Sequence, residues 1–364
     1  MQSKQGSIGM LRALLLSLAL CSHVQAAETL RVYNWAQYID PQTLRGFERE
    51  SGVKVEYQTF TTAAERDAAL FDSSGWDVLV PSHFQLPRLI REGRIQILDK
   101  SRLANYANLD SKLLAALVSF ENAQRYAVPY QWSSAGLVYD TETAVQQFGG
   151  PLPESWSLAL VEQSLARLAP CGVSWLDAPE EMYSLLLNYQ GKRLPSSSTQ
   201  YLARQGQTLE HMAQNLRALN NEAYVDDLVA GRLCLAVAWS GQALMAARKR
   251  PSLQFVVPTE GAPISLETWV IPTTARNTEL AYRFIDYMLR PQSSVQNSAY
   301  TLFYSALRSD LPQLRRLQQD QPSLILDPKL RSRLYFLEQP TSEQKEVIDK
   351  QWALLERQQR EYSK

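Results

Sequence analysis

This chain has few histidines and cysteines, and no excess of positive or negative charge. Its 364 residues include three histidines and three cysteines, and 37 Lys and Arg match 37 Asp and Glu. Balanced charge excludes the basic surface that nucleic-acid binding requires and the polybasic segment that binds anionic lipid. Beyond the N-terminal segment, no apolar run is long enough to span a bilayer. We therefore expect no nucleic-acid partner and no membrane-spanning helix.

Catalytic signatures are missing as well. The sequence has no Gly-x-Ser-x-Gly elbow, no phosphate-binding glycine loop, no dinucleotide fingerprint and no His-Glu-x-x-His motif. Ser82 and His83 are neighbours, but adjacent side chains at a strand end point in opposite directions, so they do not pair as nucleophile and base. We predict a binding protein without a cofactor and not an enzyme. A hydrolase that uses two carboxylates is the alternative.

The N-terminus has the pattern of an export signal. Lys4 and Arg12 supply positive charge, Leu11 to Leu20 forms a short apolar run, and Val24 to Ala26 offers small residues for cleavage. We predict a signal peptide over residues 1–27 and a periplasmic location; a buried N-terminal helix is the alternative. Cleavage would remove two of the 37 basic residues and no acid, leaving 35 against 37, a net charge of −2.

Two cysteines, Cys171 and Cys234, remain after this segment is removed. In an exported protein an even pair favours a disulfide, which here would close a loop of roughly 60 residues. Two buried free thiols are the alternative. Cysteines so far apart in sequence lack the spacing of metal ligands, so no metal site is predicted.

Short apolar segments alternate with amphipathic ones, which predicts an α/β fold with a parallel sheet covered by helices. Strands are expected at Thr29 to Trp35, Val53 to Phe60, Trp76 to Pro81, Tyr126 to Tyr139 and Leu233 to Trp239; helices are expected at Pro41 to Ser51, Ala63 to Phe71, Pro179 to Tyr189 and Ser342 to Tyr362.

The chain length suggests two domains, each with its own core. The long apolar stretch Tyr126 to Tyr139 is expected to leave one domain and enter the other, and the segments Leu253 to Pro258 and Glu267 to Pro272 to return. The predicted lobes are residues 28–135 plus 255–308, and residues 136–254 plus 309–364.

Several motifs follow one another in an order that resembles a known family. They are Val32-Tyr33-Asn34-Trp35 with Tyr38-Ile39, Asp77 to Ser82, Leu98 to Ser101, Val128 to Trp132, Cys171 to Ser174, Leu176 to Glu181, Asn188-Tyr189, Ala238 to Gly241, and Pro258 to Gly261. Together they resemble the periplasmic polyamine-binding proteins, the putrescine- and spermidine-binding components of ABC importers, and are most similar to the putrescine-binding branch.

The resemblance implies a two-lobed periplasmic binding protein fold, with several hinge-crossing strands and a ligand cleft, and a disulfide between Cys171 and Cys234. It implies a small amine as ligand, a membrane permease and an ATPase as partners, and a monomer. A sensing module that docks to a receptor is the alternative that stays open.

The resemblance also implies which residues bind the ligand. They are Trp35, Gln37, Tyr38, Ser82, His83, Glu181, Trp239, Gln242, Glu267 and Tyr304. Carboxylates would pair with the ammonium ends of a polyamine, and aromatic rings would cover its alkyl middle. Each residue also has a structural interpretation: Trp35 and Trp239 as core residues, or Glu181 as an acid at a helix N-terminus.

Two glutamines depart from the family pattern. Gln37 and Gln242 stand where the family has aspartates, and Ser265 replaces a family aromatic two residues before Glu267. A neutral amide binds ammonium more weakly than a carboxylate does. We therefore expect a ligand with fewer or differently placed positive charges, such as a modified polyamine, a monoamine or an amino-acid-like amine.

Overall fold

The structure is a computed structural model that describes residues 28–71, 75–325 and 327–362. The predicted signal peptide, residues 1–27, lies outside these ranges. None of the helices within them combines the length and the apolar character that crossing a membrane requires.

The described residues form eleven strands and sixteen α-helices. The strands are β1 Thr29–Trp35, β2 Lys54–Phe60, β3 Val78–Leu79, β4 Ala127–Asp140, β5 Val173–Trp175, β6 Ala218–Leu219, β7 Leu235–Trp239, β8 Leu253–Val256, β9 Ala262–Val270, β10 Tyr304–Ser305 and β11 Leu334–Phe336. The helices are α1 Pro41–Ser51, α2 Ala63–Phe71, α3 Leu86–Arg91, α4 Ser111–Val118, α5 Thr143–Phe148, α6 Ser157–Leu160, α7 Glu162–Leu168, α8 Pro179–Tyr189, α9 Thr199–Ala213, α10 Tyr224–Val229, α11 Ser240–Lys249, α12 Thr278–Met288, α13 Pro291–Thr301, α14 Pro312–Asp320, α15 Pro328–Arg331 and α16 Ser342–Tyr362.

Local chemistry fixes both ends of the first helix, α1. The side chain of Asp40 accepts a hydrogen bond from the backbone N–H of Gln42, and Pro41 occupies the first turn, where its missing N–H costs nothing. Gly52 ends the helix with a φ of 70°, a left-handed conformation that other residues adopt at a cost. These caps start α1 six residues after β1 and turn the chain back into β2.

Each lobe contains parallel strands joined by helices. In the first lobe β1 lies between β2 and β3 and is parallel to both. In the second lobe β5 lies between β6 and β7 and is parallel to both. Parallel strands direct their carboxyl ends to one edge of the sheet, where α/β proteins bind ligands. The predicted α/β class with two lobes is confirmed.

Strand β4 belongs to both lobes. Residues 127–134 pair with β9 in the first lobe, whereas residues 135–139 pair with β7 in the second and residues 137–140 with β8. A strand shared in this way forms one arm of a hinge. The antiparallel partner β9 lies beside it as a second crossing, since Ala262 at its start packs in the core of the second lobe and Val270 at its end packs in the first.

Two separate hydrophobic cores define the lobes. Their members place two of the lobe boundaries at residues other than those predicted from the sequence. Leu314, Leu317 and Leu324 pack in the core of the first lobe, so the chain leaves that lobe after residue 324 and not at residue 309. Val256 and Ala262 pack in the core of the second lobe, so the return begins with β9 and not at residue 255. In both places a contact between distant segments decides the boundary, which composition alone does not reveal.

The C-terminal segment crosses back and closes the second lobe. Strand β11 pairs with β9 in parallel, and α16 then packs along the second lobe with Ile348, Trp352 and Leu355 in its core. Also in the second lobe, Cys171 and Cys234 form the predicted disulfide, with their Cα atoms 5.5 Å apart. This bond joins the start of β5 to the start of β7.

Candidate ligand-binding cavity

A cavity of about 620 Å³ lies between the two lobes. Its walls come from the segments that follow β1, β2 and β3 and from β9 in the first lobe, and from the N-terminal turns of α8 and α11 and from α16 in the second. Seven of the predicted ligand residues lie in these walls: Trp35, Tyr38, Ser82, Glu181, Trp239, Gln242 and Glu267.

Glu267 is a buried carboxylate held by two serines. It lies on β9 with 2% of its surface exposed, and Ser82 Oγ donates to its two oxygens at 2.9 and 3.0 Å. Ser265 Oγ donates to the same carboxylate at 2.5 Å, so the serine that departs from the family pattern fixes this side chain. Burial raises the pKa of Glu267 to about 7, although the serine hydroxyls favour the ionised form.

Glu181 is the second buried carboxylate. It lies in the first turn of α8 and is 7% exposed, and no ion pair with Lys, Arg or His is present within the described residues. Its neighbour Glu180 takes the nearest cation, Lys345, at 3.1 Å. Burial, and then the charge of Glu180, raise the pKa of Glu181 to about 8, and the charge of Glu267 adds to the shift.

Aromatic rings form the walls around these carboxylates. The rings of Trp35 and Tyr38 lie 6.2 Å apart, and Trp35 packs against Phe60 at 4.5 Å. The backbone carbonyl of Tyr38 accepts hydrogen bonds from Tyr130 Oη at 2.6 Å and Gln131 Nε2 at 2.8 Å, which fix the loop after β1. Burial, followed by the charge of Glu267, raises the pKa of Tyr38, so its hydroxyl stays neutral.

A glycine lets the second lobe approach the first closely beside the cavity. A Cβ atom on Gly241 would lie 2.6 Å from the ring of Phe303 and 2.8 Å from the carbonyl of Thr301. Phe303 in turn packs against the ring of Tyr38 at 4.5 Å. The absence of a side chain at Gly241 therefore allows the first turn of α11, and with it Gln242, to reach the cavity.

The side-chain amide of Gln242 forms its hydrogen bonds with residues of its own lobe. It is 3% exposed, and its Oε1 accepts a hydrogen bond from Tyr224 Oη at 2.5 Å. Its Nε2 donates to the backbone carbonyl of Asn221 at 3.2 Å. The cavity wall at this position is thus a neutral amide fixed by a hydrogen-bond network.

The cations in the walls are paired with acids near them. Arg66 is buried and hydrogen bonded to Asp67 and Gln85, and Arg88 reaches the other oxygen of Asp67 at 2.7 Å. Lys345 contacts Asp349 at 2.8 Å as well as Glu180. Glu181 and Glu267 are in no ion pair of the described chain, although the charges of Lys345 and Arg66 act on them from a greater distance and partly oppose the rise in their pKa values.

Three predicted ligand residues lie outside the cavity walls. Gln37 has a positive φ of 62° in the turn after β1, and Tyr304 stacks on Trp132 at 4.3 Å. His83 has a structural role, contrary to the prediction. Its Nδ1 accepts from the backbone N–H of Leu266 and its Nε2 donates to the carbonyl of Leu337, both at 3.1 Å. With both ring nitrogens engaged and the side chain fully buried, His83 ties the returning segment to β9.

Other wall residues were not expected from the sequence. Asn221 donates from Nδ2 to the carbonyl of Thr61 across the cleft at 3.2 Å and to the carbonyl of Asp177 at 2.8 Å. Arg66 lies beside Gln85, and Tyr224, behind the wall, orients Gln242. None of them belongs to a motif, because their positions depend on how the segment after β6 and the helix α2 meet across the cleft.

Comparisons with known proteins agree with this architecture. The chain is 31% identical to a putrescine-binding periplasmic protein of Escherichia coli, over 92% of this chain and 93% of that one. It is 32% identical to a putrescine/agmatine-binding protein of Pseudomonas aeruginosa, over 86% and 88%. A Listeria monocytogenes structure assigned to a spermidine/putrescine ABC transporter superposes with a TM-score of 0.80 at 26% identity, over 91% of this chain and 99% of that one.

The two curated relatives are named for the amines they bind and the solved structure for an ABC transporter, and the fold, the cleft and the disulfide are those that the resemblance implied. The family model described as bacterial extracellular solute-binding protein matches residues 42–321, most of the chain. This protein therefore belongs to the bacterial extracellular solute-binding proteins, and within them it is similar to the polyamine-binding components of ABC importers.

Proposed function

We propose that this chain is the periplasmic ligand-binding component of an ABC importer and that its ligand is a polyamine or a related small amine. The observation that carries the proposal is a pair of buried carboxylates, Glu181 and Glu267, that face one cavity and have no Lys or Arg partner in the described chain. A buried carboxylate without a counter-ion is costly, so the site favours a ligand that brings positive charge.

The chemistry of the walls fits an alkyl ammonium. Ammonium groups donate charge-assisted hydrogen bonds to carboxylates, which are roughly twice as strong as bonds between neutral groups. The rings of Trp35, Tyr38 and Trp239 offer flat apolar surface for methylene groups, and a ring face also attracts a cation by about 0.5–2 kcal/mol. Glu267 is held on the first lobe and Glu181 on the second, so one ligand that contacts both favours the closed arrangement.

The relatives support the transport role. Those named above bind putrescine, or putrescine and agmatine, and the Listeria monocytogenes structure is assigned to an ABC transporter. We propose that the loaded protein docks to a membrane permease served by an ATPase, that it acts as a monomer, and that it does not transform its ligand.

Calorimetric titration of the refolded protein tests the amine-binding proposal. Unfolding and refolding removes any ligand retained from the expression host. The panel contains putrescine, cadaverine, spermidine, spermine, agmatine, an acetylated polyamine and δ-aminovalerate. We expect at least one amine to bind in the micromolar range or tighter, and Glu181→Gln and Glu267→Gln each to weaken it by tenfold or more, about 1.4 kcal/mol.

Glu361→Gln is the matched control, because Glu361 is exposed on α16 and does not line the cavity. Its affinity should equal that of the wild type. If no amine in the panel binds, or if the two cavity variants bind as tightly as the control, the proposed function is wrong.

A further inference from the structure

Glu222 is a carboxylate of the cavity wall that lies outside every motif named above. It belongs to the segment between β6 and α10 and lines the cavity. Its Oε1 is buried and accepts no hydrogen bond within the described chain, whereas Oε2, which has no partner there either, is not buried. Glu222 is in no ion pair with the Lys, Arg and His residues of that part of the chain. It therefore has a carboxylate oxygen that a cation can reach.

Asn221 fixes the position of Glu222 between the two lobes. Its Nδ2 donates to the backbone carbonyl of Thr61 in the first lobe at 3.2 Å and to that of Asp177 in the second lobe at 2.8 Å. Burial, followed by the charge of Glu65 in the first lobe, raises the pKa of Glu222. The negative potential at this end of the cavity thus comes from both lobes.

Glu222 also lies beside Gln242, the glutamine that stands where the family has an aspartate. Gln242 Nε2 donates to the backbone carbonyl of Asn221 at 3.2 Å, and that carbonyl belongs to the peptide bond that leads into Glu222. Two residues further along the chain, Tyr224 Oη donates to Gln242 Oε1. The segment 221–224 therefore adjoins the amide of Gln242, and it carries the negative charge that position 242 lacks.

The acids of the cavity form two separate groups. The inner group is Glu181 with Glu267, and the outer group is Glu222 with Glu65. The charges that raise the pKa of Glu181 include that of Glu267, whereas the charge that acts on Glu222 is that of Glu65. The raised pKa values of the inner group, about 8 and about 7, leave it with fewer than two negative charges near neutral pH, so one ammonium is enough to balance it.

Aromatic rings line the cavity between the inner group and the outer group. The indole of Trp35 lies close enough to Glu267 to lower the pKa of that carboxyl, and the ring centroids of Trp35 and Phe60 are 4.5 Å apart. Thr61, the residue after Phe60, accepts the hydrogen bond that holds the outer segment. Both rings belong to the cavity wall, so apolar surface for an alkyl chain extends from one group of acids toward the other.

Resting on the proposed amine-binding function, we propose that Glu222 binds the second cationic group of a linear diamine or polyamine whose first ammonium binds at Glu181 and Glu267. Glu222 thus takes the role of the aspartate that Gln242 replaces. The ligand carries a cationic group at each end, because a ligand that is acylated or uncharged at its far end leaves the carboxylate of Glu222 without a cation and binds more weakly.

Matched pairs of amines test this assignment by calorimetry on the refolded protein. The probes are putrescine, cadaverine, 1,6-diaminohexane and 1,8-diaminooctane, each compared with the n-alkylamine of the same carbon number. At the chain length that fits best, we expect the wild type to bind the diamine about tenfold tighter than its alkylamine, because only the diamine reaches both groups of acids. Equal binding, or a preference for the alkylamine, at every length would overturn the inference.

Glu222→Gln tests whether Glu222 causes this preference. The variant should bind the diamine about tenfold more weakly and leave the alkylamine nearly unchanged, whereas Glu181→Gln should weaken both and keep the preference. Glu361→Gln is again the control and should change neither. The Gln side chain loses no hydrogen bond of the described chain, so urea denaturation should find the variant folded; if it is not, Glu222→Ala allows the same comparison. A diamine preference that survives in a folded Glu222 variant would place the second cation elsewhere and overturn the proposal.

The outcomes separate this inference from the function on which it rests. Binding of no amine by the wild type would defeat the amine-binding function itself. Binding of diamines and alkylamines with equal affinity, lost in Glu181→Gln, would keep that function and defeat only the assignment of Glu222.

Discussion

From the buried carboxylate of Glu267 we predict how the stability of the ligand-free protein depends on pH. The pKa of a glutamate in the unfolded chain is near 4.5, and burial raises that of Glu267 to about 7 in the fold. Because the folded pKa is the higher one, the stability that Glu267 contributes is fully present below pH 4.5 and is lost as the pH rises to about 7. Glu267→Gln removes this titration and leaves a neutral group that Ser82 and Ser265 can still hydrogen bond.

The variant should therefore be more stable than the wild type at alkaline pH. Each unit of pKa corresponds to about 1.4 kcal/mol, so the difference in the free energy of unfolding should grow from near zero at pH 4.5 to about 3 kcal/mol above pH 7. Groups that Glu267 does not affect, including the deeply buried His83, occur in both proteins and largely cancel. The loss of the Glu267 charge also removes part of the rise in the pKa of Glu181, which adds to the stability of the variant at alkaline pH. Urea denaturation of refolded, ligand-free protein between pH 4.5 and 8.5 measures this difference.

The same variant should lose amine affinity, so stability and function move in opposite directions. Glu361→Gln serves as the control and should follow the wild-type curve at every pH. The reasoning would be refuted if the free energies of unfolding of the wild type and Glu267→Gln changed with pH in parallel. It would also be refuted if the variant were the less stable protein at pH 8.

Three further perturbations follow from the fold. His83→Phe should lower the free energy of unfolding at pH 7.5 by about 2–4 kcal/mol, because two buried backbone groups lose their partners. It should also flatten the loss of stability as the pH falls below 6.5, since burial lowers the pKa of His83 to about 3; equal slopes in urea titrations would contradict this. Reduction of the disulfide, or the double change Cys171→Ser and Cys234→Ser, should cost about 4 kcal/mol for a sequence separation of 63 residues, and an unchanged urea midpoint would argue against it. Gly241→Ala should destabilise by about 1–3 kcal/mol and weaken amine binding, whereas Gly150→Ala, with nothing within 4 Å of the added carbon, should do neither; calorimetry and urea denaturation distinguish the two.

Elements with strong local signals are predictable from the sequence alone. The ranges expected for β1, α1, α8 and α16 coincide with those in the structure, and β4 was predicted within one residue at each end. Caps and prolines mark the helix starts, and a long apolar run marks β4. These signals arise from neighbouring residues, so no knowledge of the tertiary fold is needed.

Elements fixed by distant contacts are not predictable in this way. The apolar run from Trp76 to Pro81 suggests a full strand, but only Val78–Leu79 pairs as one. Within that run, the Asp77 carboxylate accepts from the backbone N–H groups of Arg31, Arg276 and Asn277. A side chain thus ties this segment to residues far along the sequence, where a longer strand would use ladder bonds.

The site shows the same division between local and distant information. Resemblance to the family identified residues that meet at the cavity, including Glu181 and Glu267. It did not reveal that Tyr224 and Asn221 hold the amide of Gln242, because that network joins two segments after β6 to the start of α11. It also assigned a ligand role to His83, whose ring nitrogens are occupied by backbone groups.

The shared strand β4 has a consequence for the order in which the protein folds. The first lobe cannot complete its core when its N-terminal half is made, because β9 and the helices α12 to α14 come from much later in the chain. The second lobe likewise waits for α16. During synthesis from the N-terminus, the early strands therefore lack their partner strands, and a sheet edge stays unpaired until nearly the whole chain has been made. A chain truncated before α16 would keep the core residues of the first lobe but lose Ile348, Trp352 and Leu355 from the core of the second, so we expect the second lobe to be the less stable one in such a chain.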